Sequence, residues 1–473
     1  MIYTAENVSK KKTLEFFKKC TCGDYSEIHS IKMYQGDRLV LDAEFPPYTH
    51  KQASQVYSLS KSFTSTAIGM LYDDGRININ DRVIDIIEWD GKTNEKIEAL
   101  TVHNLLSMSS GHGACSMPAI ACSDDGVKAF FEQEFTYMPG TDFSYDTGAT
   151  YMLSAIVTKI TGMTMFDYLY EKLWKPLDIT SCSWQTAGGK INEGGIGLFI
   201  STEDLAKLAV LYLNKGIYNG KRILSEEWIN MASSKWVDNV FNGTINWRVG
   251  YGYQMWMNAC GGYRGDGAFG QYCIILPEKN IALVALTESA NMEKQMDDIF
   301  EYIMDFEADG FEEDFDLDAF INTRYLPACG GELNIDSVYE LKENIHGFTR
   351  CHVKSIGNMV EFAISDGTSI QTVRAGNGEW IENEIYARDF KPLLKRVVKE
   401  GRTESAKFFA SFKVLTDNKI MLDIRYVNCP HHMHAEAEFN KKLLIKLTYY
   451  KEGVIRDGAE CIEGIMNQET KLL

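Results

Sequence analysis

Strand-like alternation of apolar and polar residues opens and closes this chain, and helical periodicity fills the stretch between. Ile28 to Tyr34 and Arg38 to Phe45 read as two strands joined by the turn Gln35-Gly36-Asp37. Phe63, Ala67, Ile68 and Leu71 then form the apolar stripe of a helix that Gly75 ends. A polar, helical middle follows, broken by turn-rich segments around Gly111-His112-Gly113 and Pro139-Gly140-Thr141. Helices are predicted from Ala149 to Ile160, stopped near Gly162, and from Thr202 to about Leu213. Ser201 or Thr202 caps the second of these, and Glu203-Asp204 complements its dipole. Tyr272 to Leu276 and Ile281 to Thr287 make a hairpin through Pro277-Glu278-Lys279-Asn280, and a helix runs from Asn291 to about Phe306. The first and last strand segments most easily share one antiparallel sheet.

The acidic stretch from Glu307 to Asp314 breaks this pattern and reads as a linker, bounded at 309–316. Beyond it the period is two again: Phe348 to Val353, Val360 to Ser365, Ala406 to Leu415, Lys419 to Tyr426, His432 to Phe439 and Leu443 to Tyr450. The expected organisation is a first domain at 1–308 and a mainly antiparallel, barrel-like β domain at 317–473. Two domains also suit the length, since 473 residues exceed one ordinary core.

A net charge of −18 argues against nucleic acid and anionic membranes as partners, because both call for basic surfaces. No uninterrupted apolar stretch is long enough to span a bilayer. Lys10-Lys11-Lys12 is followed by Thr13-Leu14-Glu15-Phe16-Phe17-Lys18-Lys19, which has no long apolar core and is no secretion signal. The eleven cysteines are odd in number and scattered, so free thiols in a reducing compartment are expected, and the cytoplasm with them. The expected partner is a small-molecule substrate; nothing in the sequence specifies an oligomeric state.

Candidate chemistry starts at Ser58-Leu59-Ser60-Lys61. A serine hydroxyl needs a base to become a nucleophile, and a spacing of three on a helix puts Lys61 on the same face as Ser58. The free N–H groups of the helix start would favour an anion there and help lower the pKa of Lys61. The pattern is cheap: it recurs at Ser9 to Lys12, where a solvated tail is expected, and a helix-capping serine has the same signature. Tyr145, in Phe143-Ser144-Tyr145-Asp146-Thr147-Gly148, suits a proton shuttle at a loop tip, or equally a buried core tyrosine. Gly265, Gly267 and Gly270 enter the Tyr272 strand, where backbone N–H groups could oppose that of Ser58 as an oxyanion hole, or form a plain glycine-rich turn.

The cluster Cys429-Pro430-His431-His432-Met433-His434 tempts a metal reading, but His432, His434, Glu436 and Glu438 alternate with apolar residues as a half-buried strand does. Cys20-Thr21-Cys22 is too tightly spaced for a metal or redox motif, and His112 reads as a loop residue. No Gly-x-Ser-x-Gly elbow, His-Glu-x-x-His helix or phosphate loop is present, and neither metal nor cofactor is expected.

Together these segments resemble the serine β-lactamase and penicillin-binding-protein superfamily, in particular the class C β-lactamase-related serine hydrolases, over roughly Ile28 to Phe306. Leu100 to Gly111, Tyr151 to Val157 with Thr161-Gly162, Trp174 to Ile179, Gly194 to Leu198 and Thr202 to Ala206 match in the same order. The resemblance implies an α+β fold, an antiparallel sheet flanked by helices with a helical subdomain. It implies Ser58 as acyl-accepting nucleophile, Lys61 as general base or proton relay, and Tyr145 as the tyrosine of the family's Tyr-x-Asn motif. Gly265-Asp266-Gly267 falls where the family has Lys/His-x-Gly, and the Ala268 N–H would join that of Ser58 in the oxyanion hole.

Two departures narrow the substrate. Thr147 replaces the motif's asparagine, and Gly265 replaces the cation that holds a substrate carboxylate. Losing that cation weakens binding of such acids by about a few kcal/mol at most. Strand alternation is compatible with Asp266 pointing away from the pocket, so the missing cation weighs more than the added anion. The expectation is an esterase, amidase or peptidase for a neutral or cationic, non-β-lactam substrate. A β-lactamase or D-alanyl-D-alanine carboxypeptidase is the alternative, as is a binding or regulatory relative without turnover.

Overall fold

A computed structural model describes residues 2–21, 26–240, 243–307, 317–325, 330–344, 347–386, 405–451 and 454–466. The chain divides into two compact units, Met1–Glu44 with His50–Phe315, and Phe45–Thr49 with Asp316–Leu473. The acidic linker at 309–316 lies outside the described residues.

The first unit is built on a seven-stranded antiparallel sheet. Its strands are β1 (Ile2–Thr4), β2 (Ser26–Gln35), β3 (Arg38–Glu44), β4 (Trp256–Met257), β5 (Tyr263–Gly267), β6 (Gln271–Leu276) and β7 (Ile281–Ser289), in the spatial order β1-β3-β2-β7-β6-β5-β4. As the sequence pattern predicts, the first and last segments meet: β2 pairs β7 with Ile31 opposite Ala285. All nine residues of β7 are buried, so the sheet is covered on both faces there, and Ile281 to Leu286 form an apolar run without alternation. The longer helices of this unit are α1 (Lys10–Thr21), α2 (Ser60–Asp73), α3 (Thr147–Thr161), α4 (Thr202–Leu213) and α5 (Met292–Met304), with shorter ones between them. Helix α1 packs on β2 and α5, with Phe16 stacked on Tyr302, while α4 packs on β7, β6 and β2.

Helix α2 is more deeply placed than its predicted stripe requires: every residue from Ser60 to Leu71 is buried. Phe63, Ile68 and Leu71 each contribute about 1.5–3 kcal/mol by leaving water. Two of its buried hydroxyls find carbonyls, Thr64 Oγ1 donating to Gly194 O at 2.8 Å and Thr66 Oγ1 to Ser62 O at 2.8 Å. Ser201 caps α4 through the Asp204 N–H, and Gly162, at φ 74°, ends α3.

Two expectations need correction. The Ser9 to Lys12 segment is no solvated tail: Ser9 is buried and its hydroxyl accepts the Lys12 N–H, which starts α1. The stretch Tyr263 to Gly267 is no mere entry to the Tyr272 strand. It forms β5, paired antiparallel with β6 so that Gly265 faces Cys273, and the turn comes only at Ala268–Gly270. Glycines carry little strand propensity, so pairing with β6 rather than local preference makes this strand.

The second unit is a ten-stranded sheet of antiparallel neighbours running from Asp336–Leu341 to Val454–Met466. One parallel pairing, of the end strand Ile370–Asn377 with Ser405–Thr416, the neighbour of the other end strand, curls the sheet into a barrel-like form. In the His432–Phe439 strand Met433, Ala435, Ala437 and Phe439 are buried while the histidines and glutamates between them are half-exposed, so the predicted half-buried strand is what forms. Among the described residues no helix is long and apolar enough to cross a membrane.

Candidate active site

Ser58 lies in a short 3-10 turn, Tyr57–Leu59, that runs directly into α2. The segment before it is pinned: Ser54–Gln55 pairs with Leu198–Ile200, and the Val56 N–H donates to Leu198 O at 3.0 Å. Tyr57 sits at φ 46°, an uncommon conformation for a residue with a side chain, and its ring meets Phe269 edge-on at 5.3 Å. Ser60 Oγ holds the same turn by donating to Tyr57 O at 2.6 Å.

Lys61, one turn on, is 1% exposed, and the predicted shared face is realised: its Nζ is 3.1 Å from Ser58 Oγ. Nζ also lies 3.2 Å from Thr147 Oγ1 and 2.8 Å from the Gly195 carbonyl oxygen. Burial pushes the Lys61 pKa down to about 7, against the opposing pull of Cys115, Asp146 and Asp266. Loss of water, rather than the helix dipole, is therefore the main cause. A neutral amine has two N–H donors and one lone pair. Three neighbours, of which Gly195 O can only accept, leave the lone pair free to face the Ser58 hydroxyl.

Tyr145 approaches the same hydroxyl from the start of α3. Burial pushes its phenol well above the usual range, with the Asp266 charge adding to this and a hydrogen bond with Ser58 opposing it. Its ring stacks on Trp256 at 5.1 Å and meets Tyr251 edge-on at 6.1 Å. The next residue, Asp146, is fully buried and caps α3 through the Gly148 N–H at 2.8 Å. It also accepts the Ser116 N–H at 2.8 Å and lies 3.3 Å from His112 Nδ1. His112 is thus a buried loop residue that supports the cap.

On β5, a Cβ at Gly267 would lie 2.1 Å from Val56 O, so only glycine lets this strand come so close to the Ser58 turn. Ala268 follows immediately, and Gln271 Nε2 donates to its carbonyl at 3.3 Å. A Cβ at Gly265 would lie 2.3 Å from Ser62 Oγ; the space a cationic side chain would start from is occupied. Asp266 is 6% exposed and does not leave the site uncompensated. Its Oδ2 accepts from Arg264 Nε and from Trp247 Nε1, both at 2.9 Å. Burial raises its pKa, with Arg264, Trp247 and Lys61 holding it back.

Of the eight residues singled out from the sequence, Ser58, Lys61, Tyr145 and Thr147 meet directly, Gly265 and Gly267 pack against Ser62 and Val56 beside them, Ala268 follows at the end of β5, and Asp266 turns to Arg264 and Trp247 instead. The Gly195 carbonyl, Trp256 and the Arg264–Asp266–Trp247 group were not anticipated. Gly194-Gly195 was visible as a matching segment, but a carbonyl that reaches a lysine has no side-chain signature. Arg264 and Asp266, two apart on a strand, carry an i, i+2 signal that could have been read.

The family model described as Beta-lactamase matches residues 30–307. Protein flp of Staphylococcus aureus (strain N315) is 27% identical over 155 residues, which is 30% of this chain and 30% of that protein. The 6-aminohexanoate-dimer hydrolase of Paenarthrobacter ureafaciens is 26% identical over 257 residues, 49% of this chain and 64% of that protein. The chain thus spans under two thirds of the length of either relative. Among solved structures, the octameric penicillin-binding protein homologue from Pyrococcus abyssi aligns over 96% of this chain and 100% of its own, with TM-score 0.52 and 18% identity. A penicillin-binding protein homologue from Caulobacter crescentus aligns over 64% and 99%, with TM-score 0.52 and 14% identity.

Proposed function

The chain belongs to the beta-lactamase family, as the match over residues 30–307 shows, and from that premise we propose that it hydrolyses an ester or amide bond of a small, non-β-lactam substrate through an acyl-enzyme on Ser58. The observation that carries this reading is the buried Lys61, with its pKa near 7 and its Nζ 3.1 Å from Ser58 Oγ. Lys61 takes the Ser58 proton as Oγ attacks the carbonyl carbon. The N–H groups of Ser58 and Ala268 receive the oxyanion. The Tyr145 phenol, which burial keeps protonated, donates to the leaving atom and is reprotonated through the Lys61 ammonium. Water then enters along the reverse path and frees Ser58.

A β-lactamase or D-alanyl-D-alanine carboxypeptidase would share this chemistry, but those substrates carry a carboxylate. Gly265 offers no cation for it, and Ser62 stands where a side chain would start. A binding protein without turnover is opposed by the complete bonding of Lys61, in which Thr147 Oγ1 takes up the contact. The Paenarthrobacter relative, named a 6-aminohexanoate-dimer hydrolase, supports hydrolysis of a small non-β-lactam substrate. A cytoplasmic location belongs to the same reading, supported by nine described cysteines that are all free thiols.

Incubation with a fluorophosphonate or an activated ester, followed by peptide mass spectrometry, tests it. The expected result is acylation at Ser58 and none in Ser58→Ala; an unlabelled Ser58 in folded protein overturns it. Nitrocefin turnover at an ordinary enzymatic rate would restore the β-lactamase alternative.

A further inference from the structure

The two N–H groups assigned to the oxyanion sit on two stretches of chain that meet through a pair of aromatic rings. A trans peptide unit is planar, so the direction of its carbonyl fixes that of its N–H. The unit carrying the Ser58 N–H has its carbonyl, Tyr57 O, bound by Ser60 Oγ at 2.6 Å and by the Ser60 N–H. The unit carrying the Ala268 N–H has its carbonyl, Gly267 O, bound by the Gly270 N–H at 3.2 Å. The other carbonyls of that turn are held as well. Gln271 Nε2 donates to Ala268 O at 3.3 Å, and Thr287 Oγ1 lies 3.2 Å from Phe269 O and 2.7 Å from Gly270 O. Ser58 and Ala268 are half-buried, and among the described residues neither N–H is spent on another acceptor.

The backbone beside each donor is unusual. Tyr57 precedes Ser58 at φ 46°, and Phe269 follows Ala268 at φ 64°. Left-handed backbone is ordinarily left to glycine or asparagine, and a bulky side chain persists there only where its surroundings hold it. Glycine would adopt either conformation freely but would bring no ring. The rings of Tyr57 and Phe269 meet edge-on, 5.3 Å apart at 71°. This contact spans the two stretches where β5 passes Val56 so closely that a Cβ at Gly267 would lie 2.1 Å from Val56 O.

We propose that Tyr57 and Phe269 form an aromatic clamp that sets the spacing of the oxyanion hole and keeps the Ser58 and Ala268 N–H groups aimed at one point. This rests on the serine-hydrolase reading above. Both are positioning residues, acting through the two peptide units on the transition state rather than on substrate binding.

Steady-state kinetics of an activated ester with Tyr57→Ala, Phe269→Ala and the double variant test the clamp. Each alanine variant should lower kcat by about 10- to 100-fold, short of the cost of losing a donor outright, with KM changed by less than about twofold. The double variant should be no slower than the slower single one, since either loss opens the clamp. Tyr57→Phe keeps the ring edge and should stay within about threefold of wild type. Full kcat in either alanine variant, or losses that multiply in the double one, overturns the proposal while the hydrolase reading stands. So does a raised KM at unchanged kcat, which would make the rings a wall for the substrate. Where Phe269→Ala fails to fold, Phe269→Leu keeps the bulk without the ring, and full kcat there overturns the proposal equally. Hydrogen exchange at the Gly270 N–H reads the turn without chemistry. Exchange faster by about tenfold or more in Tyr57→Ala, across the clamp, supports the proposal, and an unchanged rate in folded protein overturns it. A wild type that never acylates Ser58 sinks the hydrolase reading and, with it, the role given to the clamp.

Discussion

Lys61 Nζ lies 4.7 Å from the centre of the Tyr145 ring, over its face, while both residues direct a polar atom at Ser58. One environment acts on them in opposite senses. Burial disfavours the charged form of each, which lowers the amine to about 7 and raises the phenol. At neutral pH this separates the roles, with the lysine as base and the tyrosine as proton donor. The ring face also steadies the ammonium once it forms.

The acting form of Lys61 is the neutral amine, so kcat/KM for an ester should rise with pH through about 7 and then level off. The high phenol pKa predicts no fall until beyond the ordinary tyrosine range. A profile recorded in overlapping buffers checks both limbs. Lys61→Arg, which keeps the charge permanently, should lower kcat by about 10²–10⁴-fold.

The same burial costs stability. Between the folded value of about 7 and the ordinary 10.5, the unfolded chain binds a proton that the folded one does not. The Lys61 contribution therefore grows more favourable as pH rises through that window and is most unfavourable below it. Lys61→Met should unfold at higher urea than wild type at pH 7, by about 1 kcal/mol, and the gap should narrow as pH approaches the upper end. A gap that widens with pH would contradict the assignment.

Trp256 fixes the Tyr145 ring by stacking at 5.1 Å and an interplanar angle of 26°. Removing that support in Trp256→Leu should lower kcat by about 2- to 10-fold, the worth of an aromatic pair, with KM little changed. Trp256→Phe should recover most of the loss. A fall in KM and kcat together, unrescued by phenylalanine, would point to general damage instead.

Gly267→Ala places a methyl 2.1 Å from Val56 O. The strand must withdraw from the Ser58 turn, which should cost about 1–3 kcal/mol by thermal or urea unfolding. Acylation of Ser58 by an activated ester should slow by more than that loss of folded protein explains, because the Ala268 N–H moves with the strand.

Much of this was legible in the residues. The helix starts and stops at Ser201, Gly162 and Asn291 are local chemistry, and the ordered motifs from Ser58 to Ala268 mark the family. Strand β5 was not legible, since Tyr-Arg-Gly-Asp-Gly has the look of a loop until Cys273 and Gln271 pair with it. The buried cap at Asp146 and the hydrogen bond of Asp266 with Trp247 were hidden for the same reason. Their partners, Ser116 and Trp247, come from distant segments.

By itself, then, the sequence determined which groups could react: a serine and a lysine three apart share a helix face wherever that helix goes. Only the tertiary structure decided how they react. The acceptor that orients the Lys61 amine is the Gly195 carbonyl, 134 residues away, and the lowered pKa follows from exclusion of water. The same holds for Asp266, whose carboxylate is held by Trp247 from another segment as well as by its neighbour Arg264. Burial and long-range pairing belong to the packed chain, and no spacing of residues encodes them.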